Sequence, residues 1–135
     1  MKNLILTSLI LLTISCNSVI TDYDGVYTGT AMEWQTENGS TIDNDGYPLT
    51  ITVIKTTQGY NYSDLWSGKV HWLTNGYFYN DTSYVDNFGQ GNIDMYHSTE
   101  VSIEKQELVY KLYWKSEYLD GTIIEDHIEA ILDKQ

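Results

Sequence analysis

The stretch LVYKLYWKSEYLDGTIIEDHIEAIL, residues 108–132, decides the fold class of this chain. Its first part alternates between apolar or aromatic residues and polar ones, which is the period of two typical of a β-strand with one buried face. The residues predicted to face inward are Leu108, Tyr110, Leu112 and Trp114, and Lys111 and Lys115 are predicted to face outward. Asp120-Gly121 then marks a hairpin turn. The pattern predicts two antiparallel strands joined by that turn.

The second half of this stretch admits two interpretations. Residues 123–133 fit a strand through Ile124, Ile128, Ala130 and Leu132, and they fit a helix through Ile124, Ile128, Ile131 and Leu132. We favour the strand because the β-branched pair Ile123-Ile124 directly follows a hairpin turn and needs a partner.

Outward from this hairpin, the remaining strand candidates are residues 23–34, 47–56, 69–73, 77–80, 92–97 and 101–104. In the second of these, Leu49, Ile51 and Val53 share one face. The polar residues 35–46 are predicted to form a loop, with Asp43-Asn44-Asp45-Gly46 as a turn rather than a calcium loop. Seven or eight short strands with polar turns predict an all-β, antiparallel up-and-down barrel. The alternative is an open β-sandwich.

The length and composition of the chain limit its possible functions. A chain of 135 residues has room for one domain. A net charge of −12 without clustered Lys or Arg excludes nucleic acid as a partner. One cysteine excludes an internal disulfide.

The amino-terminal residues resemble a bacterial lipoprotein signal. Lys2 precedes an apolar run that ends in Ser15 and Cys16, the single cysteine. The resemblance implies that residues 1–15 are removed, that Cys16 carries the lipid, that residues 16–22 form a tether and that residues 23–135 form the domain. The membrane is then a partner through this anchor. We expect an outer-membrane protein that faces the periplasm, with surface exposure as the alternative location. An ordinary secretory signal with a chance cysteine is the other interpretation of these residues.

A second resemblance concerns the domain. Gly25-Val26-Tyr27 opens the first strand and resembles the Gly-x-Trp start of lipocalin and calycin barrels. The tail, which ends in residues 130–134, resembles the closing hairpin of small lipocalin-like lipoproteins from Bacteroidetes-type bacteria. The resemblance implies a calycin-like barrel in which the opening aromatic residue, here Tyr27, plugs the closed end. The family's late-strand Arg is absent from this chain, and Lys134 is the residue that could replace it.

We expect no catalysis, no cofactor and no metal site. His71, His97 and His127 show no metal-binding spacing, and His127 is predicted to share a solvent face with Glu125 and Glu129. No nucleophile elbow or phosphate-binding glycine loop is present in the sequence.

Aromatic residues suggest a binding function instead. They crowd residues 60–88 among Asn, Asp, Ser and Gly, as in a recognition surface, although half of them could simply fill the barrel. The candidate ligand-binding residues are Tyr27, Trp66, Trp72, Tyr77, Tyr84 and Trp114.

The leading functional prediction is a non-catalytic lipoprotein that holds a small apolar or aromatic ligand in the barrel. The predicted pocket is lined by Leu49, Ile51, Val53, Leu112 and Trp114. The alternatives are an acidic module that binds a basic protein, such as an inhibitor of lysozyme, a glycan-binding lipoprotein, and a purely structural envelope component.

Overall fold

The computed structural model describes residues 22–88 and 91–135. Eight antiparallel strands form a nearly closed up-and-down barrel, so the all-β prediction is confirmed and the open sandwich is wrong. The strands are β1 (Gly25–Glu37), β2 (Ser40–Thr56), β3 (Gly59–Ser63), β4 (Val70–Leu73), β5 (Tyr77–Phe88), β6 (Gly91–Glu104), β7 (Glu107–Glu117) and β8 (Ile123–Lys134). The predicted signal segment, the lipidated Cys16 and residues 17–21 of the tether lie outside the described residues. No helix in the described ranges is long and apolar enough to cross a membrane.

Side chains complete the ring of strands where the backbone ladder does not. The hydrogen-bonded order is β4-β3-β2-β1-β8-β7-β6-β5, and β4 meets β5 only through the bridge between Thr74 and Tyr77. Across this seam the ring of Phe78 lies 4.4 Å from that of His71 and 5.8 Å from that of Tyr62, measured between centroids. Aromatic packing therefore joins the two edges of the sheet.

The number of strands that form the barrel wall differs between the two ends of the barrel. We call the end with Gly25 and Lys134 the closed end, and the end with the Asn38-Gly39 turn the open end. β3 pairs only with Val53–Thr56 of β2, next to the closed end. Within the described part of the chain, residues 40–52 of β2 have no strand partner on that side. Eight strands thus surround the half near the closed end, and six surround the half near the open end, with a gap between β2 and β5.

The core fills the half near the closed end. Its buried members include Leu49, Ile51, Val53, Leu108, Tyr110, Leu112, Ile128, Ala130 and Leu132, which are residues that the alternation placed inward. The strand interpretation of residues 123–133 is confirmed, because β8 pairs with β1 on one side and β7 on the other.

The residues before β1 plug the closed end. The Tyr27 hydroxyl donates to the Tyr23 carbonyl at 2.8 Å, and Lys134 Nζ donates to the Asp22 carbonyl at 3.0 Å. Lys134 Nζ also lies 6.0 Å from the centroid of the Tyr27 ring, so the expected proximity of these two residues is present. The Tyr23 ring packs against Gly76 in the β4–β5 turn.

Two predictions about the β1–β2 region are wrong. Residues 35–46 do not form a loop, because β1 continues to Glu37 and β2 begins at Ser40. The connection is only Asn38-Gly39, both with positive φ (49° and 79°), as a tight hairpin turn requires. Asp43-Asn44-Asp45-Gly46 is not a turn either, since it runs extended in β2 opposite residues 32–35 of β1.

The strand boundaries between residues 57 and 104 also differ from the prediction. β3 was not predicted as a strand, and β5 extends from Tyr77 to Phe88 rather than ending at residue 80. The candidates 92–97 and 101–104 belong to one strand, β6. The count of eight is therefore right although its members differ.

Candidate functional site

The inner face of the barrel turns polar toward the open end. One row of directly paired residues crosses five neighbouring strands there. The row contains Gln35, Asp126, Trp114, His97 and Thr82, from β1, β8, β7, β6 and β5 respectively. The first four side chains are half-buried and Thr82 is exposed, so solvent reaches this row although it lies on the same face as the core. We call it the mouth row.

Contacts within the mouth row fix its side chains. Gln35 Nε2 donates to Asp126 Oδ1 at 2.6 Å. The rings of His97 and Trp114 meet edge to face with centroids 4.9 Å apart. His97 Nε2 also lies 3.3 Å from the hydroxyl of buried Thr99. These contacts place the Asp126 carboxylate beside the Trp114 ring, its partner in the neighbouring strand.

Further carboxylates line the same face on β1 and β2. Glu33 pairs with Asp45, and Gln35 pairs with Asp43, so both aspartates point the same way as the inward residues opposite them. Tyr47, the next inward residue of β2, has its pKa raised first by burial and second by the charge of Glu33. The open end of the barrel is therefore acidic on its inside.

Two buried tyrosines lie below the mouth row. Tyr62 and Tyr110 have exposed fractions of 1% and 0%. Neither hydroxyl has a hydrogen-bond partner among the residues that the structure describes. A buried polar group without a partner costs about 1–3 kcal/mol, so proteins rarely retain one that nothing satisfies. We call these residues the tyrosine pair.

A short turn between β3 and β4 carries a buried carboxylate to the tyrosine pair. Asp64 Oδ1 accepts hydrogen bonds from the backbone N–H groups of Trp66 and Ser67 and from the Ser67 hydroxyl, at 2.8–3.0 Å. The turn is closed by the Gly68 N–H, which donates to the Asp64 carbonyl at 2.9 Å. Asp64 is therefore held rigidly although it lies between two strands.

Asp64 connects the tyrosine pair with the mouth row. Burial raises the pKa of both tyrosines well above the usual value, and the negative charge of Asp64 adds to the rise. The indole N–H of Trp66 lies near the Tyr110 hydroxyl and opposes that rise, without forming a hydrogen bond of standard geometry. Burial lowers the pKa of His97, and Asp64 partly offsets this effect. One carboxylate therefore acts on the tyrosine pair and on one member of the mouth row.

The pKa shifts indicate which hydrogen bonds these groups can form. Both phenols stay protonated at neutral pH and can each donate and accept a hydrogen bond. His97 is neutral, and Trp114 supplies an aromatic surface. Such a set suits the recognition of a ring with polar substituents. Within residues 22–88 and 91–135, no group of three or more His, Cys, Asp or Glu side chains could hold a metal ion.

The structure scatters the six predicted ligand-binding residues. Tyr27 is buried in the closed end and is hydrogen-bonded to the backbone. Trp72 and Tyr77 are exposed near the β4–β5 seam. Trp66, 61% exposed, lies in the turn beside Asp64. Of these four, only Trp66 contacts Asp64.

The other two predicted residues lie nearer the open end. Trp114 belongs to the mouth row. Tyr84 is in β5 opposite Met95, and it borders a shallow pocket of about 270 Å³ at the ends of β5, β6 and β7. The predicted pocket lining does not form a cavity wall as a set, because Leu49, Ile51, Val53 and Leu112 are buried in the core and only Trp114 is half-exposed. The predicted pocket is therefore not formed by these five residues.

The outer face carries its own aromatic cluster. The rings of Trp34 and His127 stack 4.9 Å apart at 3°, and Tyr113 lies 4.8 Å from His127. The Tyr113 hydroxyl donates to Glu125 at 2.6 Å. Surface grooves of about 630 Å³ and about 230 Å³ flank this cluster. The rings stack across neighbouring strands and the Tyr113 hydroxyl has Glu125 as its partner, so we interpret the cluster as cross-strand packing. Binding of glycans to exposed aromatic residues stays a prediction.

Sequence reasoning missed most of the site. Tyr62, Tyr110, His97, Gln35 and Asp126 were not proposed as ligand-binding residues. For Tyr110 and Trp114 the signal was present, since both fall on the inward parity of β7. Tyr62 lies in the aromatic stretch of residues 60–88 but was not among the chosen candidates. For Asp64 there was no signal, because β3 and its turn were not predicted.

No family model, curated protein or solved structure matches this chain. The resemblance to lipocalin-like lipoproteins therefore stays a prediction. The function has to be argued from the tyrosine pair, Asp64 and the mouth row.

Proposed function

We propose that the protein is a non-catalytic envelope protein that binds a small molecule inside the open half of its barrel. The ligand enters through the open end, packs a ring against Trp114 and places a polar atom on the tyrosine pair. One observation supports the proposal above all others. The hydroxyls of Tyr62 and Tyr110 are buried and have no hydrogen-bond partner among the described residues. Ligand pockets are typically apolar or aromatic with a few polar groups, and the Trp114 ring and the two tyrosine hydroxyls would supply groups of both kinds.

The proposed lipid anchor would orient this site. Residue 22, where the tether ends, lies against Lys134 and Tyr60 at the closed end. With the lipid on Cys16, the closed end would face the membrane and the open end would face the aqueous compartment. Ligand exchange would then not require detachment from the membrane.

Native mass spectrometry tests the proposal. The full chain, recovered from the envelope of cells that express it, should carry an added non-covalent mass. The double variant Tyr62→Phe/Tyr110→Phe should lose that mass while keeping its thermal stability, because the hydroxyls have no partner among the described residues. Tyr118→Phe, an exposed tyrosine in the β7–β8 turn, is the matched control and should retain it. A wild-type chain with no added mass, or equal retention by the double variant, would contradict the proposal.

A second candidate is an acidic module for a basic protein. It is favoured by the charge: the chain carries 19 Asp and Glu against 7 Lys, and the described residues form three ion pairs, all at the surface. A large negative field accelerates association with a cationic partner. Lysozyme is a suitable probe. Its affinity should fall steeply between about 0.02 M and about 0.5 M salt, since the Debye length shortens severalfold. Affinity independent of salt would contradict this candidate.

A further inference from the structure

The gap at the open end is bordered by two strand edges, one on β2 and one on β5. β5 pairs with β6 along its whole length, and within the described ranges its other side meets a neighbour only where Tyr77 is bridged to Thr74. Residues 79–87 of β5 therefore have no described strand partner on the side of the gap. We call this side of residues 79–87 the β5 edge.

The backbone groups on the β5 edge are available for pairing. The Tyr77 N–H donates to the Thr74 carbonyl and the Thr74 N–H donates to the Tyr77 carbonyl, so the backbone groups of Tyr77 point away from β6. This direction alternates along an antiparallel strand, so the odd-numbered residues, such as Ser83 and Val85, direct both N–H and C=O into the gap. Residues 79–85 are exposed to solvent. The edge thus offers the donors and acceptors to which an extended segment can add.

The pairing of β2 with β1 fixes the direction of the β2 backbone groups. The Gln135 N–H donates to the Val26 carbonyl, so the even-numbered residues of β1 point toward β8 and the odd-numbered ones point toward β2. Gly25 of β1 lies opposite Val53 of β2, so the odd-numbered residues of β2 point back to β1. The even-numbered residues of β2 therefore face the gap.

Three successive gap-facing positions of β2 offer no free N–H group. The Asn44 N–H donates to the Asp43 carboxylate at 2.8 Å. The Gly46 N–H donates to the Asp45 carboxylate at 2.7 Å. Pro48, the next gap-facing residue, has no N–H. A pairing strand needs donors as well as acceptors, so this edge is protected and an added segment has to pair with β5.

The β5 edge is protected by charge rather than by its backbone. β5 contains no proline or lysine, and its pairing with β6 has no register shift, so it lacks common features that keep an edge from pairing. It carries Asp81 on the outward parity and Asp86 on the inward parity, and neither forms an ion pair among the described residues. Carboxylates repel a strand of like charge and attract one of opposite charge. The edge is therefore selective for the charge of its partner.

A basic partner is favoured over a second copy of this chain. Residues 40–52 and 77–88, which border the gap, contain four aspartates and no lysine. A second copy would bring the same aspartates and a net charge of −12. On an added strand, inward basic side chains would lie on the same face as Asp86, and outward apolar ones would lie beside the exposed Tyr79 and Val85.

We propose that the β5 edge binds an extended segment of a cationic protein, which pairs antiparallel with β5 through its backbone. In this segment basic side chains that face inward alternate with apolar ones that face outward. The proposal rests on the second candidate function, the acidic module, and is independent of the small-molecule site.

A labelled seven-residue peptide in which Lys and Val alternate, capped at both ends, is the probe, and its fluorescence anisotropy measures binding to the full chain. In an antiparallel hydrogen-bonded pair, opposite residues lie on the same face, so the outward Val residues direct their N–H groups to β5. N-methylation of the Val residues should therefore weaken binding at least about tenfold, and N-methylation of the Lys residues should change it less than about twofold. Equal effects of the two methylations would overturn the proposal.

Two further measurements test the charge of the partner. The same peptide with Glu in place of Lys should not bind measurably, and binding as tight as that of the Lys peptide would overturn the proposal. Sedimentation equilibrium of the chain without peptide should show a monomer. A dimer that Ser83→Pro dissociates would assign the β5 edge to a second copy and would also overturn the proposal.

Two proline variants test the edge in the protein itself. Ser83→Pro removes an N–H that faces the gap and leaves the ladder with β6 intact, so it should weaken peptide binding at least about tenfold. Asn44→Pro, at a gap-facing N–H that Asp43 already occupies, is the matched control and should bind within about twofold of wild type. Equal weakening by two variants that unfold at the wild-type temperature would contradict the proposal.

Hydrogen exchange of the wild-type chain provides the same test without a substitution. The peptide should slow amide exchange in residues 79–87 at least about tenfold and leave residues 40–46 unchanged, because the added strand bonds to β5 and not to β2. Unchanged exchange in residues 79–87 at saturating peptide would overturn the proposal even where Ser83→Pro does not fold.

Failure of this proposal is distinguishable from failure of the acidic module. If lysozyme binds with the expected salt dependence and Ser83→Pro binds it as tightly as wild type, the acidic module stands and the β5 edge is not its site. If neither lysozyme nor the peptide binds, both fail.

Discussion

The two halves of the barrel are built from the same strands but have opposite interiors. Near the closed end, Tyr27 of β1 pairs with Ile51 of β2, and both side chains are buried. Eight residues along β1, Gln35 pairs with Asp43, and the interior is polar and accessible. The comparison teaches that the apolar packing that stabilises the fold and the polar, accessible part of the interior are separated along the strands. Register is fixed by the apolar half, which lets the other half carry charges that would not support a core by themselves.

The largest expected effect is a cavity in the closed half. Leu108→Ala should lower the free energy of unfolding by about 2–5 kcal/mol, because Leu108 is fully enclosed in the core. Leu119→Ala, at a leucine that is 75% exposed in the β7–β8 turn, should cost less than about 0.5 kcal/mol. Urea denaturation measures both. Similar losses in the two variants would mean that the closed half is not where the stability resides.

The turns at the two ends provide a second contrast. Gly76 and Gly39 have nearly equal φ values, 76° and 79°, so alanine is strained at both by about 1–2 kcal/mol. At Gly76 the added Cβ would also lie 2.7 Å from the Tyr23 ring, whereas at Gly39 it meets nothing within 4 Å. Gly76→Ala should therefore cost about 1–3 kcal/mol more than Gly39→Ala in thermal or urea unfolding. An equal loss of stability in the two variants would show that the Tyr23 ring can move away from the added Cβ at little cost.

The closed half could be predicted because its strands alternate. Leu49, Ile51 and Val53 occupy every second position, and a strand with one buried and one exposed face has to do so. The turn at Asp120-Gly121 could also be predicted, because an Asp-Gly pair is typical of a tight turn. Gly121 does adopt a positive φ, 84°. Local rules were sufficient wherever the inside was apolar and the outside polar.

The open half could not be predicted by the same rule. Residues 40–46 of β2 are exposed on both faces, so hydrophobic alternation disappears and the segment looks like a loop. The informative signal was the short Asn38-Gly39 turn. The tyrosine pair could not be predicted from the sequence for another reason. Whether the hydroxyls of Tyr62 and Tyr110 have hydrogen-bond partners depends on packing between segments that are distant in the chain.

Acidification should affect the open half through His97. Burial lowers its pKa below 6.5, so in that range the unfolded chain binds a proton that the folded chain does not. Its contribution to stability is therefore complete above about pH 6.5 and is lost as the pH falls from there toward the folded-state pKa. Wild type should lose more stability than His97→Gln between about pH 7.5 and about pH 5.5, as measured by urea unfolding. His127→Gln, on the outer face, is the control, and an unchanged pH dependence in His97→Gln would contradict the assignment.

The smallest expected effect is at the inner carboxylates themselves. Asp43→Asn should change the free energy of unfolding by less than about 0.5 kcal/mol, because Asp43 is exposed and its nearest inward neighbour on β2, Asp45, has the same charge. Any change should be a gain, since one like-charge repulsion is removed. Urea unfolding measures this change in the free energy of unfolding, with Leu108→Ala measured alongside as the reference for a large loss. A loss of about 2 kcal/mol or more would show instead that the carboxylates hold the open half together.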